Sequence, residues 1–88
     1  MLFQLGTLVA TPGALELLNN NRLGANVLIN RHAQGDWGNV CADDAAANTA
    51  AIADRDGIHS SYSVGQGTIW IITDTGHLVT TLLVPDEY

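Results

Sequence analysis

The sequence predicts an α+β domain: three short N-terminal helices, then a three-stranded antiparallel meander. Two observations carry that expectation. Up to about residue 54 the apolar residues recur at helical spacing, whereas from Ile58 onward they alternate or are β-branched, in runs cut by glycine turns. The period changes once, without a linker, repeat or low-complexity stretch, so residues 1–88 read as a single compact domain.

Residues 2–10 are apolar apart from Gln4, Gly6 and Thr7, which suits a short strand or an extended lead-in. Thr11-Pro12 starts the first helix, predicted over 12–19, with a hydroxyl N-cap and a proline at the first helical position. Ala14, Leu15, Leu17 and Leu18 supply its buried side. Asn19-Asn20-Asn21 ends it, since asparagine tolerates the left-handed conformation of a C-cap. The second helix is predicted over 25–33, where Ala25, Leu28, Ile29 and His32 fall on one face. His32 therefore prolongs the apolar stripe, and Arg31 flanks it. Gly35 takes the positive φ of a helix stop, Trp37 is a plug between helices and sheet, and Gly38 frees the chain again. The third helix, predicted over 43–54, opens with Asp43 and Asp44 at its positive end. Its face of small residues allows close approach to a neighbour, and Asp56-Gly57 terminates it.

Ile58–Gly65 alternates, with Ile58, Ser60, Tyr62 and Val64 on one face and His59, Ser61 and Ser63 on the other. After the Gly65-Gln66-Gly67 turn, Thr68–Thr73 is β-branched and apolar on both faces, which predicts a central strand. Asp74-Thr75-Gly76 supplies the next turn, His77–Val84 the third strand, and Pro85 its stop. Thr80 and Thr81 then face opposite ways, one to the core and one outward. Asp86-Glu87-Tyr88 reads as a solvated tail or as an acidic, aromatic-tipped docking element.

Charge excludes more than it assigns. Nine acids stand against three arginines, with no lysine, for a net charge of −6. Arg22, Arg31 and Arg55 make no broad basic patch, which disfavours phosphate-gripping nucleic-acid binding and anionic membranes. Basic surfaces of other proteins are the favoured partners. No apolar run approaches the ~18 residues of a membrane span, and Met1–Gly6 lacks the basic residues of a signal peptide. A cytoplasmic location is expected. Cys41 is alone, so it is read as a small hydrophobe outside any disulfide.

The densest chemistry lies in Arg31-His32-Ala33-Gln34-Gly35-Asp36-Trp37-Gly38. An imidazole beside a guanidinium and a carboxylate suffices for acid–base work on a phosphodiester. His32 would take a 2′-hydroxyl proton, Arg31 would meet the developing charge, and Ser61 and Thr81 would add donors from the sheet. The competing reading makes His32 a helix-end core residue, pairs Arg31 with Asp36 or Asp54, and buries Trp37. No CxxC or HExxH spacing, nucleophile elbow or phosphate-cradling loop is present, so neither a metal nor a cofactor is expected.

Leu8–Leu15 (Leu-Val-Ala-Thr-Pro-Gly-Ala-Leu), Arg31-His32 with Gly35-Asp36-Trp37-Gly38, Ser61-Tyr62, Ile69–Thr73, and Thr80-Thr81 with Pro85 and Glu87-Tyr88 together resemble a family of short bacterial proteins. That family is tied to plasmids and other mobile elements and has no assigned activity. The likeness spans nearly the whole chain; it departs at Asp74-Thr75-Gly76-His77, where the family turn is more charged. A fainter likeness is to the barnase/colicin/RelE-like ribonuclease fold, matched by His32, Arg31, Ser61 and Thr81 in residue type alone.

The expected function is that of an acidic accessory protein of a plasmid- or phage-type mobile element that binds another protein. Arg31, His32, Asp36, Trp37, Tyr62, Glu87 and Tyr88 are its candidate contacts. The alternatives are a metal-independent ribonuclease using His32 and Arg31, and a small homo-oligomer that pairs strands with a copy of itself. The surroundings of the His32 ring separate the enzyme from the rest. Convergence with Arg31, Ser61 and Thr81 around a cleft favours catalysis, and a ring sealed under Trp37 favours a core role.

Overall fold

The computed structural model describes all 88 residues. The chain runs β1 (Thr7–Ala10), α1 (Pro12–Asn20), α2 (Ala25–Ala33), α3 (Ala42–Asp54), β2 (Ile58–Val64), β3 (Gly67–Thr73) and β4 (Val79–Leu83), and closes on a 3₁₀ turn, Pro85–Glu87. The fold is α+β with three helices, as predicted, but the sheet is larger. Its order is β1-β4-β3-β2: β2, β3 and β4 form the antiparallel meander, and β1 joins β4 in parallel. The sheet is therefore four-stranded and mixed, and both β3 and β4 are central. A parallel pairing between the first and last strands leaves no local turn signal, which is why residues 2–10 alone do not reveal it.

Helix boundaries follow their start and stop signals closely. The Thr11 hydroxyl accepts from the Ala14 amide at 3.3 Å to cap α1. Its C-cap, Asn21, is not left-handed; Arg22 takes that conformation at φ +52° instead, while the Asn21 side chain holds the Leu17 carbonyl. Asp43 and Asp44 do lie in the first turn of α3, which ends on a left-handed Arg55. The strand after the second hairpin starts at Val79, later than predicted, because His77 has φ +58° and belongs to the turn.

The helices cover one face of the sheet. Ala14 and Leu18 of α1 and Leu28 of α2 pack with Tyr62, Val64, Ile69, Ile71 and Leu82 in the larger apolar cluster. A smaller cluster joins Phe3, Trp37, Ala51 and Ile58. Trp37 is thus the plug that its position suggested.

Gly38 locks the α2–α3 connection onto the sheet. It forms a parallel bridge with Ser61, flanked by bonds from the Ser61 amide to the Trp37 carbonyl (3.0 Å) and from the Asn39 amide to the Ser61 carbonyl (2.7 Å). Its φ is +74°, and a Cβ there would overlap the Ser61 carbonyl oxygen. Gly38→Ala is expected to destabilise the protein by at least about 2 kcal/mol, measured as a lower urea midpoint at unchanged slope.

Candidate functional site

Helix α2 aims His32 at the centre of the sheet, where its ring has no exposed surface. Ring Nδ1 lies 2.5 Å from the Ser60 hydroxyl of β2, and Nε2 lies 2.9 Å from the Thr73 hydroxyl of β3. Thr73 continues to the Thr80 hydroxyl of β4 at 2.7 Å, and Thr80 donates to the Leu5 carbonyl at 2.7 Å. A carbonyl only accepts, so the whole chain has one direction. Thr80 spends its proton on Leu5, Thr73 donates to Thr80, and Thr73 must then accept from Nε2–H. Nδ1 is left bare and accepts from Ser60. The histidine is thereby held as the neutral Nε2–H tautomer, and no buried side-chain donor or acceptor is left without a partner.

Aromatic rings close the remaining approaches. Phe3 and Trp37 pack on the imidazole edge-on, with centroids 5.3 and 5.8 Å away. Burial pushes the His32 pKa down to about 4, assisted by the charges that His59 and His77 would carry.

The residues proposed to assist His32 do not meet it. Ser61 and Thr81 point to the opposite face of the sheet, and their neighbours Ser60 and Thr80 reach the imidazole instead. The candidate set is displaced by one residue on each strand, and a one-residue step reverses the face. The parity was readable for Ser60, which alternates in step with Ile58, Tyr62 and Val64. It was not readable for Thr80-Thr81, where both neighbours are hydroxylic.

Arg31 and Asp36 pair with each other, Nε to Oδ2 at 2.6 Å and Nη2 to Oδ1 at 3.3 Å. Each is held in its charged form, the guanidinium raised and the carboxyl lowered from their ordinary pKa values chiefly by that bond. The Arg31 guanidinium also stacks 4.6 Å from the Tyr62 ring centroid, and the Tyr62 hydroxyl donates to the Asp36 carbonyl at 2.7 Å. Burial pushes the Tyr62 pKa up to about 12, so its phenol stays a donor. Of the candidate contact residues in this segment, His32, Trp37 and Tyr62 are buried.

The C-terminal residues are ordered on the body of the chain instead of trailing in solvent. The Glu87 carboxylate accepts from the Thr11 hydroxyl, the Gly13 amide (3.0 Å) and the Val84 amide (3.3 Å), and these bonds hold its pKa low. Tyr88 stands edge-on to Trp70 at 5.7 Å, and His59 packs on Trp70 from its other side at 4.7 Å. These three residues make a ridge on the face of the sheet that no helix covers. A recess of about 280 Å³ on one side is lined by Ile72, Asp74, Thr81, Leu83, Glu87 and Tyr88. One of about 240 Å³ on the other takes in Asp44, His59, Ser61, Trp70 and the exposed Cys41. Burial also lowers the His59 pKa, against the pull of Asp44, and so disfavours its charged form. Of the ridge, Tyr88 is among the candidate contacts, whereas His59 and Trp70 were missed in the sequence, although the apolar alternation of Ile69 and Ile71 already turns Trp70 outward.

No His, Cys, Asp or Glu residues gather in a group of three or more fit to hold a metal ion, and no helix is long and apolar enough to cross a membrane. Comparison with protein-family models, curated proteins and solved structures returned no match.

The imidazole makes stability depend on pH with a definite sign. Its unfolded pKa is near 6.5 and its folded pKa near 4, so between those values the unfolded chain binds a proton that the folded chain refuses. Stability is expected to fall on acidification through that window, by roughly 3 kcal/mol from this residue. Urea unfolding at a series of pH values, with His32 followed by nitrogen-15 shifts, measures both effects. An imidazole that titrates near 6.5 in the folded protein would contradict the buried relay.

Proposed function

We propose that the protein acts by binding another protein through the uncovered face of its sheet, and that the partner offers arginine or lysine side chains there. The ridge of His59, Trp70 and Tyr88, with a carboxylate-bearing recess on each side, carries this reading. A cationic head over an indole or phenol face gains cation–π attraction, and its aliphatic stem covers apolar surface. Asp74 and Asp44 stand on opposite sides of the ridge, and neither is occupied by a cation of the chain. The single ion pair of the protein is Arg31–Asp36, so eight of its nine acidic side chains have no cationic partner within the chain, and their field attracts a basic surface.

This contact surface keeps the C-terminal residues Glu87 and Tyr88 of the expected contact set and leaves out its Arg31–Trp37 segment. That segment spends its charges internally and its indole on the core, whereas Tyr88 remains 83% exposed. A nuclease built on His32 gains no support from a ring closed to any phosphodiester. The family likeness would make such a binding protein a mobile-element accessory, and that setting adds no residue to the surface.

A short arginine- and lysine-rich peptide tests the reading by nitrogen-15 NMR titration. Shifts are expected at Trp70, His59 and Tyr88, with binding weakened by added salt. Tyr88→Ala together with Asp74→Asn should weaken it about tenfold, or ~1.4 kcal/mol, without loss of fold. Shifts confined to other surfaces, or binding indifferent to both changes, would refute it.

A further inference from the structure

The two edges of the sheet are finished in opposite ways. Along β2 the outward backbone groups of His59 and Ser61 are taken. The Asn48 side-chain amide receives the His59 N–H at 3.1 Å and donates to the His59 carbonyl at 2.8 Å, and the Trp37–Asn39 segment bonds both groups of Ser61. Along β1 nothing does this. Thr7 and Thr11 give their amides to Leu78 and Leu82, each at 2.9 Å, so by alternation the N–H and C=O groups of Leu8 and Ala10 point off the sheet. All four β1 residues are exposed; Leu8 is 48% and Val9 45% accessible, and the adjoining Leu78 is 70% accessible. The edge carries no charge, no proline, no bulge and no covering loop, which are the usual defences of an unpaired strand.

The distribution of charge selects the occupant. From Leu2 to Leu15 no side chain is charged; all nine acids and all three arginines come later. A charged partner strand would find no counter-charge in β1. Two copies of a chain with net charge −6 repel least where acids are few: β1 bears none, and the Glu87 carboxylate held just beyond it at Thr11 is taken up by hydrogen bonds from Thr11, Gly13 and Val84.

We infer that β1 pairs antiparallel with β1 of a second copy, joining two four-stranded sheets across a two-fold axis. The register follows from which groups face the edge. Symmetry pairs Leu8 with Ala10 of the second copy, and Ala10 with its Leu8, each pair exchanging both N–H···O bonds. Val9 then lies opposite its own copy on the axis, at a non-hydrogen-bonded position with Cα atoms about 4.5 Å apart. The dimer sets the two ridge-bearing faces side by side, and its test is independent of any ridge partner.

Light scattering over a wide range of concentration, combined with two substitutions made in a Cys41→Ser background, tests this. The wild-type chain is expected to be a dimer. Val9→Cys should give a disulfide-linked dimer under mild oxidation, because the expected Cα separation suits the bond. Val9→Lys, which sets two ammonium groups face to face at a half-exposed site, should give a folded monomer by circular dichroism. A wild-type monomer at every concentration would overturn the inference. So would a dimer that survives Val9→Lys while Val9→Cys fails to cross-link, since the interface then lies elsewhere. Protection of the β1 amides only on addition of a different protein would assign the edge to a foreign strand, and equally overturns it.

Discussion

The buried relay from Ser60 through His32, Thr73 and Thr80 to the Leu5 carbonyl is the constraint around which the fold closes. It ties α2 to β2, β3 and β4 and to the lead-in of β1. Two apolar clusters accompany the relay: α1 and α2 pack on β2, β3 and β4 in one, and Phe3 and Trp37, which also pack on the imidazole, join Ala51 and Ile58 in the other. Apolar contact alone tolerates small sliding of helix on sheet. A directional chain ending on a carbonyl tolerates little, because a shift of a helix position or a strand register would orphan several buried polar groups at once.

The segment richest in chemical groups turns out to be occupied with holding the structure. The Arg31–Asp36 pair spans the end of α2, Tyr62 grips the Asp36 carbonyl from below, and Trp37 fills the gap beside His32. Gly38 then brings the backbone against Ser61 where no side chain fits. These residues make contacts of different kinds over a few positions, so the local density of functional groups reflects a crowded junction. Groups already satisfied by one another have little left to offer a ligand.

The surfaces left free have a different character. The uncovered sheet face bears an aromatic ridge with carboxylates to either side, and the edge at β1 bears neutral apolar residues with unspent backbone bonds. Acid-lined aromatic surface suits a cationic partner, and a neutral edge suits a neutral strand. The stretch before Glu16 that supplies β1 carries no charged side chain, and the Glu87 carboxylate returns to its far end at Thr11.

Much of the architecture is local and was therefore legible. Caps such as Thr11-Pro12, the helical stripe through Leu28 and His32, the hairpin glycines and the alternation of Ile58–Val64 act within a few residues, and each has a mark in the sequence. The negative surface follows from composition in the same way. What only the tertiary structure decided is non-local: the parallel seat of β1 beside β4, the tail folded back on Thr11, and the choice of Ser60 and Thr80 over Ser61 and Thr81 as neighbours of the imidazole. Each depends on which face of a strand meets which part of a helix. Side chains on a strand reverse direction at every residue, so an error of one position in a distant contact exchanges core for surface.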